Sequence, residues 1–251
     1  MNLSNFVQTI QKYFSIRFLL IDIDIYNIVE QILIIGPGSL TISLITAFFV
    51  SIVLALQVAK EFLYLNAAGI IGAILTLAFI RELSPVLTSV IIIGRVGSSF
   101  TAELATMKVT EQVDALYLLN TNPIVYLVVP RVIACVFILP ILSILSFATS
   151  VASSAFICFV LYSIDPIVFF SSSFSALVLI DVLKSLFKTV VFAIVISCIS
   201  CYFGLSTTGG AKGVGKSTTS SVVICLLSIF ILDFVLSYFM FHDLDSSIKS
   251  L

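Results

Sequence analysis

Val132-Ile-Ala-Cys-Val-Phe-Ile-Leu-Pro140-Ile-Leu-Ser-Ile-Leu-Ser-Phe-Ala-Thr-Ser-Val-Ala-Ser-Ser-Ala-Phe-Ile-Cys-Phe-Val-Leu-Tyr-Ser-Ile164 carries no charged residue. About 20 apolar residues, each rising about 1.5 Å, cross the hydrocarbon core of a bilayer. This run is long enough to do so, and it is not alone. Gly38–Ala59 is uncharged and ends at Lys60–Glu61. Phe62–Ile80 is uncharged, meets Arg81–Glu82, and continues through Leu83–Gly94. Thr189–Ala211 and Ser221–Phe241 follow, the second carrying Asp233. These runs are continuous rather than alternating, so membrane barrel strands are excluded. The expected fold is an all-α membrane protein with five spans, near 38–59, 66–94, 132–161, 189–208 and 219–241.

Composition agrees. Of 251 residues, 60% are hydrophobic and only 10% charged, with a mean hydropathy of +1.25. Soluble domains carry about a quarter charged residues. A water-soluble globule, a disordered chain and a nucleic-acid binder are therefore excluded. The net charge of −1 implies no polyanionic partner. Five cysteines in this setting read as small buried apolar groups.

The organisation around the spans divides the chain in three. Residues 1–34 scatter Lys12, Arg17, Asp22, Asp24 and Glu30 among apolar residues. That pattern suits neither a cleavable signal nor a transit peptide. It predicts an interfacial amphipathic helix ahead of the first span, with a disordered leader as the alternative. Residues 35–241 form the membrane domain, and 242–251 a tail with His242, Asp243 and Asp245. Residues 166–180 are apolar but too short to span, which predicts a short external interfacial or re-entrant helix; a sixth span is the alternative. With the N-terminus inside, Lys12, Arg17, Arg95, Lys108, Arg131, Lys212 and Lys216 lie inside, and Lys60, Lys184, Lys188 and Lys249 outside. Basic residues favour this orientation.

Several motifs compete for a functional reading. Gly210-Ala-Lys-Gly-Val-Gly-Lys216-Ser217 matches a phosphate-loop pattern. That motif works between a buried strand and a helix, whereas here it is expected to be a flexible basic loop between two spans. Cys198-Ile-Ser-Cys201 falls inside a span, where packing is the simpler reading than redox chemistry. His242 is the single histidine, so no metal cluster is expected, and no cofactor site is evident.

Arg81 and Glu82 are more informative. A charge at mid-bilayer costs about 2.5–3.5 kcal/mol on the insertion scale. Adjacent residues point about 100° apart on a helix, so each needs its own partner on another helix or in a polar cavity. Pro85 cannot donate to the Arg81 carbonyl, which frees an acceptor and invites a kink. Arg81, Glu82, Pro85 and Asp233 are thus candidates for a transport pathway or for an inter-helix tie.

The polar centre of the chain is 94–131. Gly94 and Gly97 are expected to allow close packing. Thr110 is expected to cap a short helix bearing Glu111 and Asp114, with Lys108 three residues before Glu111. Leu116, Leu118 and Leu119 supply apolar contacts and Asn122–Pro123 a stop. Such a helix on the inner face could receive force from a soluble partner; an ordinary solvated loop is the alternative.

One resemblance weighs on these choices. Arg81-Glu-Leu-Ser-Pro-Val-Leu-Thr, Gly94-Arg-Val-Gly-Ser, Ala102-Glu-Leu-Ala-Thr-Met-Lys-Val-Thr-Glu-Gln-Val-Asp-Ala-Leu116 and Asn122-Pro-Ile-Val-Tyr-Leu-Val-Val-Pro-Arg131 resemble, in order, the MlaE-type permease family. Lys188-Thr-Val-Val-Phe-Ala, Gly213-Val-Gly-Lys-Ser-Thr-Thr and Leu232-Asp-Phe-Val-Leu are also similar, so the likeness covers about 35–241. The sequence departs from the family pattern at Ser84, where glycine is usual, and in the more basic segment holding Lys212 and Lys216. The resemblance implies the membrane subunit of an ABC transporter moving phospholipid or related lipids between membranes. It implies a second copy of the chain, separate ATPase subunits and a mammalian-cell-entry-domain lipid-binding protein as partners, with no ATPase site in this chain. It also implies that Glu103–Leu119, with Glu103, Lys108, Glu111 and Asp114, is the cytoplasmic coupling helix that docks the ATPase. The resemblance implies a bacterial inner membrane or a plastid inner envelope, and between these the Ile- and Phe-rich, Trp-free composition favours a plastid origin. The rival function is a non-transport scaffold that recruits a soluble partner through the charged inner segment.

Overall fold

The computed structural model describes residues 25–119 and 121–241. These residues form helices and short connections, with no strand among them. The elements are α1 (Ile25–Tyr64), α2 (Ala68–Val109), α3 (Gln112–Leu118), α4 (Ile124–Tyr162), α5 (Pro166–Ala176), α6 (Leu179–Leu205) and α7 (Gly210–Phe241). Five of them, α1, α2, α4, α6 and α7, are long and apolar enough to cross a membrane. The chain is an integral membrane protein.

Every span is longer or begins earlier than the uncharged run that marks it. The predicted boundary at 34/35 falls inside α1, which is continuous from Ile25 through Pro37. The rest of the predicted interfacial segment and the tail bearing His242 lie outside the described residues. α6 starts at Leu179 rather than near 189, so Asp181, Lys184 and Lys188 belong to a span instead of an external loop. α7 starts at Gly210 rather than near 219; the predicted flexible loop with Lys212 and Lys216 is helical. In each case charged residues inside the helix end hide its start.

Helix α1 packs chiefly along α4. Its buried face is Ser39, Ser43, Ala47, Ser51, Ala55 and Ala59, one residue per turn. Its outer face carries Ile42, Ile45, Phe48, Phe49 and Val53. Large apolar side chains gain nothing by leaving lipid for protein, while small ones let backbones approach. Across the seam Ser43 and Ser146 share a hydrogen bond of 2.9 Å, and Ser51 pairs with Ser153.

Helix α2 contains two π turns, Phe79–Leu83 and Ile93–Gly97. The first lies directly before Pro85 and absorbs the disruption of the backbone ladder there. Gly97 sits against α6, where an added Cβ would lie 2.9 Å from Ser200 Oγ. Gly94, expected to pack closely as well, faces open space. Gly72 makes a tight contact that no sequence motif marks: a Cβ there would clash with the Phe169 carbonyl of α5. Helix α5 is capped by Asp165, whose Oδ1 accepts from the Ile167 amide at 2.9 Å. At 11 residues it is too short to span and buries Phe169, Ser173 and Ala176.

Candidate functional site

Arg81 and Glu82 sit on the first π turn of α2, and both are paired across helices. Arg81 Nη2 meets Asp181 Oδ2 of α6 at 2.9 Å. Glu82 Oε2 accepts from Lys188 Nζ of α6 at 2.8 Å. Lys188 is completely buried and is the hub of the network. Its ammonium also donates to Ser237 Oγ of α7 at 2.7 Å and lies 2.6 Å from Asp233 Oδ1. A fourth neighbour is the Arg81 carbonyl at 3.2 Å, the acceptor that Pro85 leaves without its helical donor. Four acceptors around three N–H bonds leave Asp233 held as an ion pair by proximity, without an aligned hydrogen bond. Ser237 closes the circuit by donating to Glu82 Oε1 at 2.8 Å.

The register of α6 builds this arrangement. Asp181, Ser185 and Lys188 recur at helical spacing and are all buried on one face. At about 1.5 Å per residue, Lys188 lies about 14 Å from the start of α6, and Asp233 about 12 Å from the end of α7. The network therefore occupies one half of the bilayer, toward the end where α5 lies. It joins two cations to three carboxylates. The Glu82 side chain remains 43% exposed although its carboxylate holds a fully buried lysine. One flank of the network thus opens on the surface of the chain at membrane depth.

Sequence reasoning finds Arg81, Glu82, Pro85 and Asp233 but not Asp181, Lys188 or Ser237. Lys188 reads as an external loop residue because the uncharged run starts only after it. The buried-face spacing of Asp181, Ser185 and Lys188 is the signal that could reveal it.

The opposite end of the bundle carries the other candidates. Glu103–Leu119 is not one helix. Its first part is the end of α2, and α3 begins after a break at Thr110–Glu111, where Glu111 adopts a left-handed conformation with φ of 61°. Thr110 does not cap α3; its Oγ1 donates back to the Thr106 carbonyl at 2.9 Å, and Glu111 holds the cap position. Glu103 Oε2 pairs with Arg131 Nη2 of α4 at 2.9 Å, so it ties α2 to α4. Lys108 pairs with Asp114 at 2.8 Å across the corner. Glu111 and Asp114 remain exposed, beside Tyr117, Leu118 and Leu119, which are 58%, 89% and 74% exposed.

Gly210–Ser217 forms the first turns of α7, with Gly209 before it and Gly210 at its start both at positive φ. A phosphate loop wraps its ligand between a strand and a helix, and no strand precedes this segment among the described residues. Cys201 is buried in α6 and Cys198 half-buried, both as free thiols. Among the described residues no group of His, Cys, Asp and Glu could hold a metal ion.

The family description Permease MlaE matches residues 28–239. The chain belongs to the MlaE permease family. It is therefore the permease component of an ABC transporter. This MlaE-family chain is 58% identical to the probable ABC transporter permease protein ycf63 of Pyropia yezoensis, over 98% of this chain and 94% of that one. It is 54% identical to the probable ABC transporter permease protein slr1045 of Synechocystis sp., over 86% and 82% of the two chains. It is 46% identical to the protein trigalactosyldiacylglycerol 1, chloroplastic, of Arabidopsis thaliana, over 89% of this chain and 64% of that one. MlaE-family relatives thus occur in both chloroplasts and bacteria.

Proposed function

We propose that this permease forms the membrane path for a phospholipid or related lipid carried between two membranes, driven by a separate ATPase. The observation that carries this reading is the network of Arg81, Glu82, Asp181, Lys188 and Asp233, closed within the bundle yet open along Glu82 at membrane depth. A half-exposed carboxylate facing lipid tails is costly. Against a second copy of the chain it would instead line a polar cavity between protomers, where a lipid head group is received while its tails stay against apolar helix faces. The Arabidopsis relative carries a galactolipid in its name, which supports a lipid cargo.

In this reading the α2–α3 corner takes the ATPase. Exposed Glu111 and Asp114 supply recognition, and Tyr117, Leu118 and Leu119 supply apolar contact. The Glu103–Arg131 pair passes displacement of that corner to α4. A mammalian-cell-entry-domain protein would receive the lipid on the opposite face. The plastid inner envelope is the proposed site, given the Pyropia and Arabidopsis relatives. The test is reconstitution of the permease with its ATPase in vesicles. Lipid-stimulated ATP hydrolysis, abolished by Glu82→Gln with the complex intact, is the expected result. ATPase binding without any lipid stimulation would instead leave a scaffold.

A further inference from the structure

Where α1 presents Gly38, the space of the missing side chain is taken by Arg95 of α2. A Cβ on Gly38 would fall on Arg95 Nη2 and lie 2.7 Å from Cζ and 2.8 Å from Nη1. The guanidinium thus rests against the backbone of α1. Arg95 is the middle residue of the second π turn, Ile93–Gly97, a feature frequent at functional sites. Gly94, just before it, faces open space, so no side chain there covers the approach. Arg81 and Arg131 are each tied to a carboxylate of another helix. Arg95 is not. It is exposed, and its guanidinium makes no ion pair or hydrogen bond among the described residues.

No carboxylate is placed to answer this charge. Along α2 the next one toward the α2–α3 corner is Glu103, about 12 Å further on and already paired with Arg131. Along α1 it is Glu30, about 12 Å before Gly38. Helices α6 and α7 also pack on this turn, and neither carries a carboxylate between Val182 and Leu232. Depth then selects the anion. The uncharged run Gly38–Ala59 rises about 33 Å, close to the thickness of the hydrocarbon core. Gly38 therefore marks one boundary of that core, and the guanidinium resting on it lies where acyl chains give way to head groups. An unmatched cation is costly at the edge of hydrocarbon. The anion concentrated in that layer is lipid phosphate, whose oxygens fit the planar fork of a guanidinium.

We propose that Arg95 binds the phosphate of an anionic phospholipid in the leaflet at the α2–α3 end of the bundle. Gly38 is the seat that holds the guanidinium at this depth, and Gly94 leaves the approach open. The proposal concerns a lipid held at the edge of the bundle and does not depend on what the transporter carries.

The test uses the full chain purified in detergent and native mass spectrometry. The probes are dioleoyl phosphatidylglycerol and dioleoyl monogalactosylglycerol in equal amounts, with inorganic phosphate as competitor. The parent should retain the phosphate lipid over the sugar lipid by at least about fivefold. Arg95→Gln should bring that ratio to about twofold or less. Because the guanidinium has no protein partner, the lipid-free melting temperature of this variant should stay near that of the parent. Added phosphatidylglycerol should raise the melting temperature of the parent more than that of Arg95→Gln. Gly38→Ala keeps every charge but displaces the guanidinium, and it should lower the ratio at least about threefold. The new methyl meets the far end of a flexible side chain, and Ala suits a helix better than Gly, so this variant should fold. Equal retention of the two lipids, or a ratio unmoved by both variants, overturns the site. Displacement of the lipid by an equal amount of inorganic phosphate overturns the lipid as its occupant. Separation of two copies of the chain by Arg95→Gln, with the ratio unchanged, gives the guanidinium to a subunit contact and overturns the proposal as well.

Discussion

The α1–α4 seam and the α2–α6–α7 network both bring polar groups together inside a membrane bundle, but in opposite ways. The seam spreads its polarity over many hydroxyls, and most have a local fallback. Ser153 donates to the Thr149 carbonyl, Ser154 to Ser150, Thr149 to Leu145 and Ser39 to Ile35. Losing a partner across the seam leaves such a hydroxyl satisfied within its own helix. The network concentrates its polarity in charges with no such refuge. Lys188 draws every partner from α2 and α7. The seam is therefore built to tolerate change and the network to punish it.

Breaking the hub tests this contrast most severely. Lys188→Met should destabilise the chain by about 3–5 kcal/mol, because Glu82 and Asp233 would face each other uncompensated. Thermal unfolding in detergent reads this. Adding Glu82→Gln and Asp233→Asn to Lys188→Met should restore most of the loss. If Lys188→Met melts like the parent, the network is not a structural hub.

Steric contacts come next. Gly72→Ala should cost about 1–3 kcal/mol, since its new methyl would meet the backbone carbonyl of Phe169. Gly94→Ala, facing open space, should change the melting temperature little. At the α2–α3 corner, Glu111→Lys with Asp114→Lys should weaken ATPase association while leaving insertion and melting temperature near those of the parent. Co-purification measures it, and undiminished association would place the contact elsewhere. The smallest effect belongs to the seam: Ser51→Ala should cost about 0.6 kcal/mol, the average for one hydrogen bond between membrane helices, because Ser153 still donates to the Thr149 carbonyl.

The five spans are legible in the sequence because uncharged runs longer than the hydrocarbon core have few alternatives. Their ends are not. Lys184 and Lys188 read as loop residues, yet Lys184 donates to the Met240 carbonyl and Lys188 is fully buried. A buried partner cancels the very signal by which a charge marks a boundary. Arg81 and Glu82 stand out because they interrupt an apolar run, and Asp233 for the same reason. Asp181, on the other hand, lies near a helix start, where acidic residues are ordinary. The α2–α3 corner misleads locally: Thr110 has the chemistry of a cap, but a hydroxyl satisfies a carbonyl behind it as readily as an amide ahead.

The separation of partners along the chain has a consequence for biogenesis. Arg81 lies 100 residues before Asp181, and Glu82 lies 106 before Lys188 and 155 before Ser237. During synthesis α2 must leave the translocon carrying two charges whose counter-ions have yet to be translated. Each such charge costs about 2.5–3.5 kcal/mol in the bilayer centre. A nascent chain halted after α5 therefore retains an unmatched ionic turn, and only arrival of α6 and then α7 relieves it. The same turn that ties the finished bundle together leaves an unfinished one with charges in search of partners.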